Sequence, residues 1–102
     1  MIRLASSTLA MLALAAANVH AQPGDDAARS LAATCANCHG TGGHSRGGVP
    51  SLAGQAKADI VQKMNEFRDG KRPATIMHQL AKGYTPEQVD AIAAWYAAQK
   101  SR

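Results

Sequence analysis

The residues most able to do chemistry stand together as Cys35-Ala36-Asn37-Cys38-His39. Two thiols three positions apart share one turn of a helix, so each can add to one vinyl group of a porphyrin. The imidazole that follows is then placed beneath the iron as its proximal ligand. The pattern C-x-x-C-H is the attachment signature of one covalently bound c-type haem, carried here by Cys35, Cys38 and His39.

Three other uses of these residues compete with that one. A disulfide between Cys35 and Cys38 closes a very small loop and stabilises little. A redox dithiol of the thioredoxin kind wants a preceding strand and a βαβ context, whereas the flanks here are Ala-rich and helical. A zinc site drawing on Cys35, Cys38, His39 and His44 or His78 has enough ligands, but its spacing matches no common finger. Haem is the expectation.

A sixth ligand must come from elsewhere in the chain. Met64 falls on the stripe Ile60, Met64, Phe67, with Val61 alongside, which is the i, i+4, i+7 pattern of a packed helix face. Met77 lies outside that stripe, beyond the helix stop Asp69-Gly70 and the segment Lys71-Arg72-Pro73. A connecting segment of that length can return over the other haem face, so Met77 is the favoured ligand. His78 is its rival, and bis-His ligation would lower the potential. His44, close behind the motif, reads as exposed loop.

The elements that position these residues have little apolar material of their own. The chain has 102 residues, 46% of them hydrophobic but only 4% aromatic, so it makes one domain with a thin core. A bound porphyrin supplies the missing apolar mass. Arg3, the uncharged stretch Leu4–Ala17 and Val19-His20-Ala21 have the three-part form of a signal peptide. Cleavage is expected after Ala21, giving residues 1–21 as signal peptide and 22–102 as the domain. That sends the domain to a periplasm, with no stable membrane span once the leader is gone. Helices account for the rest: an all-α fold of three to four short helices around the haem. Asp25 and Asp26 open one as N-cap and first-turn acids, and it runs into the cysteine motif. A loop with Gly40, Gly42, Gly43, Gly47 and Gly48 follows, then a helix from about Lys57 to Arg68. Thr85-Pro86-Glu87-Gln88 starts the last helix with a capping box, and Val89, Ile92, Ala93 and Tyr96 form its apolar face, with Trp95 beside it.

CANCHG, the Gly-rich loop, VPSLAGQ, a helix ending FRDGKR, a methionine segment and a capped aromatic C-terminal helix occur in that order. This arrangement resembles the small bacterial class I cytochromes c over essentially all of residues 22–102. Thr75-Ile76-Met77 with Leu80-Ala81-Lys82-Gly83-Tyr84 is most similar to the haem subunits of flavocytochrome c sulfide dehydrogenases. The resemblance implies thioethers at Cys35 and Cys38, His39 as proximal and Met77 as distal ligand. It further implies that the Pro50 carbonyl accepts a hydrogen bond from the His39 Nδ1, and that Gly40 and Ala32 lie where the terminal helices cross against an aromatic of the last helix.

The function expected from this site is one-electron transfer through a single His/Met-ligated haem c. Both axial positions are filled, so the protein is not an enzyme by itself. The resemblance supplies the partner, an FAD-containing sulfide dehydrogenase subunit. A free-standing shuttle between other redox partner proteins is the alternative. A five-coordinate gas-binding cytochrome would require that Met77 not bind. The formal net charge of +4 is carried by scattered side chains such as Lys57, Lys63, Lys71, Arg72 and Lys82. No basic stripe interleaved with aromatics points to nucleic acid.

Overall fold

A computed structural model describes residues 24–101. The expected signal peptide and its cleavage point after Ala21 lie outside the described residues. The chain forms α1 (Asp25–Ala33), α2 (Ala36–His39), α3 (Lys57–Arg68), α4 (Met77–Leu80) and α5 (Pro86–Ala97). Single 3₁₀ turns sit at Thr41–Gly43 and Ala81–Gly83. Among the described residues there is no strand, and no helix is long and apolar enough to cross a membrane.

Local chemistry explains most of the boundaries. Gly24, not Asp25, is the N-cap of α1, and both aspartates occupy its first turn, where their charge complements the helix dipole. A turn at Thr34-Cys35 separates α1 from α2, because the Thr34 hydroxyl donates to the Leu31 carbonyl at 2.7 Å and competes with a further helical turn. The helix therefore breaks just before the cysteine motif rather than running through it. α2 stops at Gly40, whose φ of 89° and ψ of 157° are accessible only without a Cβ. α3 ends in a Schellman motif: the Lys71 N–H donates to the Glu66 carbonyl and the Gly70 N–H to the Phe67 carbonyl. α5 begins with the complete box, Gln88 N–H to Thr85 Oγ1 at 3.1 Å and Thr85 N–H to Gln88 Oε1 at 2.9 Å.

α5 packs across α1 and α3, and α4 lies on α3. The buried cluster is Ala32, Ile60, Met64, Ala81, Val89, Ile92, Ala93 and Tyr96. Three of its eight members are alanines, and the largest fully buried side chains are Tyr96 and Val89. The Tyr96 hydroxyl donates to the Ala32 carbonyl, and its ring meets Trp95 edge-on with centroids 5.0 Å apart. Ala32 thus stands at the α1–α5 crossing as expected.

Gly40 does not. A Cβ at Gly40 would lie 1.9 Å from the His44 carbonyl oxygen, so this glycine serves the tight turn after α2. The glycine against the aromatic is Gly43, where a Cβ would lie 2.7 Å from Tyr96 Cδ1 and 2.8 Å from the Ala53 backbone nitrogen. Met64 is buried in the cluster, as its helical stripe indicated.

Candidate haem site

The loop between α2 and α3 carries one half of the site. The Gly43 carbonyl accepts from the N–H groups of Leu52 and Ala53 at 2.9 and 3.2 Å, folding the loop back on itself. The Ser45 N–H donates to Ser51 Oγ at 2.9 Å, drawing the strand of residues between them together. These bonds bring Pro50 to His39, whose Nδ1 donates to the Pro50 carbonyl at 2.7 Å. That bond fixes the imidazole's tautomer and ring orientation and leaves Nε2 as the free, basic nitrogen.

Cys35 and Cys38 are both free thiols, one half-buried and the other exposed. They bracket the start of α2, so the pair and His39 occupy a single turn. Burial pushes the Cys35 thiol above its usual range, against hydrogen bonds to Thr34 and Tyr96 that pull it down. Among the described residues no three His, Cys, Asp or Glu side chains converge to hold a metal ion, so neither His44 nor His78 completes a zinc cluster with the motif. His44 is half-buried rather than exposed, because its turn folds against Gly40.

The other half comes from the segment 69–83. Met77 opens α4 rather than lying on an irregular connection, and it is half-buried against the same cluster that Cys35 and Leu52 pack on. His78 is half-buried too. Its Nδ1 and the Nε of Arg72 are the buried side-chain polar atoms without a hydrogen-bond partner among the described residues. Arg72 is partly exposed but partnered: its Nη2 reaches Glu66 at 3.3 Å, and its guanidinium lies 5.8 Å from the Phe67 ring centroid. Ile76 and Leu80 remain 52% and 44% exposed and Val49 39%, an unusual amount of apolar surface for so small a core.

Thr34, Arg68 and Tyr84 join the halves through contacts that sequence reasoning passed over. Tyr84 OH lies 2.6 Å from Thr34 Oγ1, fifty positions away, and Arg68 Nη2 donates to the Tyr84 carbonyl at 3.2 Å. No spacing rule connects positions 34, 68 and 84.

These residues suit a covalent haem: two thiols and an oriented imidazole on one turn, half-buried apolar side chains beside them, and unpartnered polar atoms near Met77. Haem would be held by Cys35 and Cys38 with His39 as a ligand.

A family profile described as cytochrome c oxidase, cbb3-type, subunit III matches residues 22–95. The cytochrome subunit of sulfide dehydrogenase from Chlorobaculum tepidum is 39% identical over 66 residues, which are 65% of this chain and 60% of that protein. Cytochrome c-554(548) from Halomonas halodenitrificans is 35% identical over 71 residues, 66% of this chain and 86% of that one. The solved structure of Acidithiobacillus ferrooxidans cytochrome c4 superimposes with a TM-score of 0.60 at 39% identity, over 63% of this chain and 37% of that chain. The chain thus spans 60% of the sulfide dehydrogenase subunit and a smaller share of the cytochrome c4. With the profile covering well over half of the sequence and helices alone among the described residues, the chain belongs to this family of c-type cytochromes, an electron-transfer fold of class I type built on covalently attached haem c.

Proposed function

We propose that the chain is a periplasmic one-electron carrier whose haem iron is ligated by His39 and Met77, and that it receives electrons from a sulfide-oxidising flavoprotein. The observation that carries the reading is the His39 Nδ1–Pro50 bond of 2.7 Å. It presets the proximal imidazole, so Nε2 meets the metal with its orientation already held. Bound haem supplies a one-electron couple. The chain's residues would do the rest: Cys35 and Cys38 would tether the haem, His39 and Met77 would ligate its iron, and the half-buried apolar side chains would exclude water. A neutral thioether favours the ferrous state and raises the potential relative to a second imidazole. With His39 and Met77 both as ligands, no substrate would reach the metal, and the haem would supply one-electron transfer alone.

Met77 as ligand draws support from its half-buried place beside the cluster that Cys35 also touches. A flavoprotein partner draws support from the Chlorobaculum relative, itself a subunit of a sulfide dehydrogenase. The second reading, a free-standing shuttle, draws support from the Halomonas cytochrome, which this chain matches over 86% of its length. Export rests on the leader-like residues 1–21.

The test is the absorption spectrum of the protein purified gently from its native cells. Haem c bands with stoichiometric flavin support the subunit reading, and reduction by sulfide should follow. Haem c bands without flavin favour the shuttle. A ferric spectrum without the methionine charge-transfer band, or carbon monoxide binding to the ferrous form, removes Met77. A colourless protein defeats the proposal outright.

A further inference from the structure

The segment 69–83 that carries Met77 has no strand or long helix to hold it. Its one α-helix, α4, is four residues long, and Ile76 and Leu80 stand about half exposed. What closes it is Tyr84. The base of the segment is bridged where Arg68, the last residue of α3, donates from Nη2 to the Tyr84 carbonyl. The Tyr84 side chain then reaches across the molecule to Thr34 Oγ1 at 2.6 Å. Thr34 uses its own hydroxyl proton on the Leu31 carbonyl at 2.7 Å, so the tyrosine hydroxyl is the donor in the longer-range bond. Thr34 is the residue immediately before Cys35, and the Tyr84 ring packs on the cluster that Met77 and Cys35 also touch. One residue therefore ties the end of the methionine segment to the start of the haem-attachment turn and to the helix at the segment's beginning.

We propose that Tyr84 is a positioning residue for the sixth ligand: its bonds to Thr34 and Arg68 keep the 69–83 segment closed and so keep Met77 seated. This rests on the reading of Met77 as that ligand. Removing the hydroxyl leaves the ring's packing intact and takes away one of the two ties. The segment then opens more often, and the methionine leaves more often, while the folded domain stays.

The test uses the haem-loaded ferric protein and imidazole as the probe. At saturating imidazole the binding rate is limited by release of the methionine, so it reports opening of this segment directly. Tyr84→Phe should raise that limiting rate about 2- to 10-fold, the range expected for one hydrogen bond. Thr34→Val should do the same, and the double variant should be no faster than either single one, because both remove the same bond. Thr85→Ala is the control: it breaks the α5 capping box next door and lowers stability without touching either tie. A Tyr84→Phe rate within twofold of wild type, or an equal acceleration in Thr85→Ala, overturns the inference while leaving Met77 as ligand. A wild-type protein lacking the methionine charge-transfer band overturns the ligand reading and the inference together.

Discussion

Replacing Tyr96 by phenylalanine removes a single hydroxyl from the largest fully buried side chain of the fold. Its ring is 1% exposed, wedged between α1 and α5, and the hydroxyl donates to the Ala32 carbonyl. Phenylalanine keeps the ring, so no cavity of consequence opens, and the donor disappears with its bond. The acceptor is not orphaned, because the Ala32 carbonyl also receives the Cys35 N–H at 3.0 Å. The cost at neutral pH should therefore be near about 1 kcal/mol, the net worth of one hydrogen bond, or a fall in Tm of about 4–8 °C for a domain this size. The pH dependence is the sharper part. Burial holds the Tyr96 phenol well above its usual value of 10.0 in the folded state. Above pH 10 the unfolded chain ionises this phenol and the folded chain does not, so the wild type loses stability as pH rises. The slope approaches about 1.4 kcal/mol per pH unit while the folded phenol stays protonated. Tyr96→Phe lacks this loss, and its stability curve should meet that of the wild type at roughly pH 11. Guanidinium unfolding of the haem-loaded proteins, followed by helical circular dichroism at intervals from pH 7 to pH 11.5, reads both quantities. A difference between the two proteins that stays constant across this range would refute the reasoning, as would a neutral-pH cost above about 3 kcal/mol.

Further expectations concern other positions. Met77→Ala should abolish the methionine-to-ferric charge-transfer band, admit carbon monoxide to the ferrous form and lower the midpoint potential by on the order of 0.1 V, whereas His78→Ala should keep the band; optical titration checks both. Gly43→Ala places a methyl 2.7 Å from Tyr96 Cδ1 at a φ of 81°, and should cost about 2–4 kcal/mol in denaturant unfolding. Gly48→Ala meets nothing within 4 Å, and the same assay should find it within about 0.5 kcal/mol of wild type. Thr85→Ala removes the hydroxyl of the α5 capping box, and should cost about 1 kcal/mol with the spectrum unchanged.

Chemistry confined to one turn was legible in the order of residues alone. Cys35, Cys38 and His39 share a turn because helical geometry requires it. The end of α3 at Arg68 follows from Gly70, and the start of α5 at Pro86 from the capping box at Thr85. Met64 declared itself a core residue by its place on the Ile60–Phe67 stripe. The break before Cys35 was hidden, since Ala-rich sequence favours helix and only the Thr34 hydroxyl argues for a turn.

What the residue order left open depends on loop closure. Whether Pro50 reaches His39 was suggested by resemblance, but the folded-back turn held by Gly43, Ser45 and Ser51 is what brings the carbonyl within 2.7 Å. The assignment of the close-approach glycine went to Gly43 in place of Gly40 because the 3₁₀ turn after α2 rotates the chain before it meets Tyr96. Arg72 looked like one more surface cation until the chain curled it over Phe67 beside Glu66. Nothing local pairs Tyr84 with Thr34 or Arg68, fifty and sixteen positions away. Short-range preferences act through neighbours on the same turn, so residue order alone specified the haem-attachment turn, α3 and the capped start of α5. The partners of those elements are chosen by burial of a shared apolar cluster, and only that tertiary choice decided which side chains brace the iron's ligands.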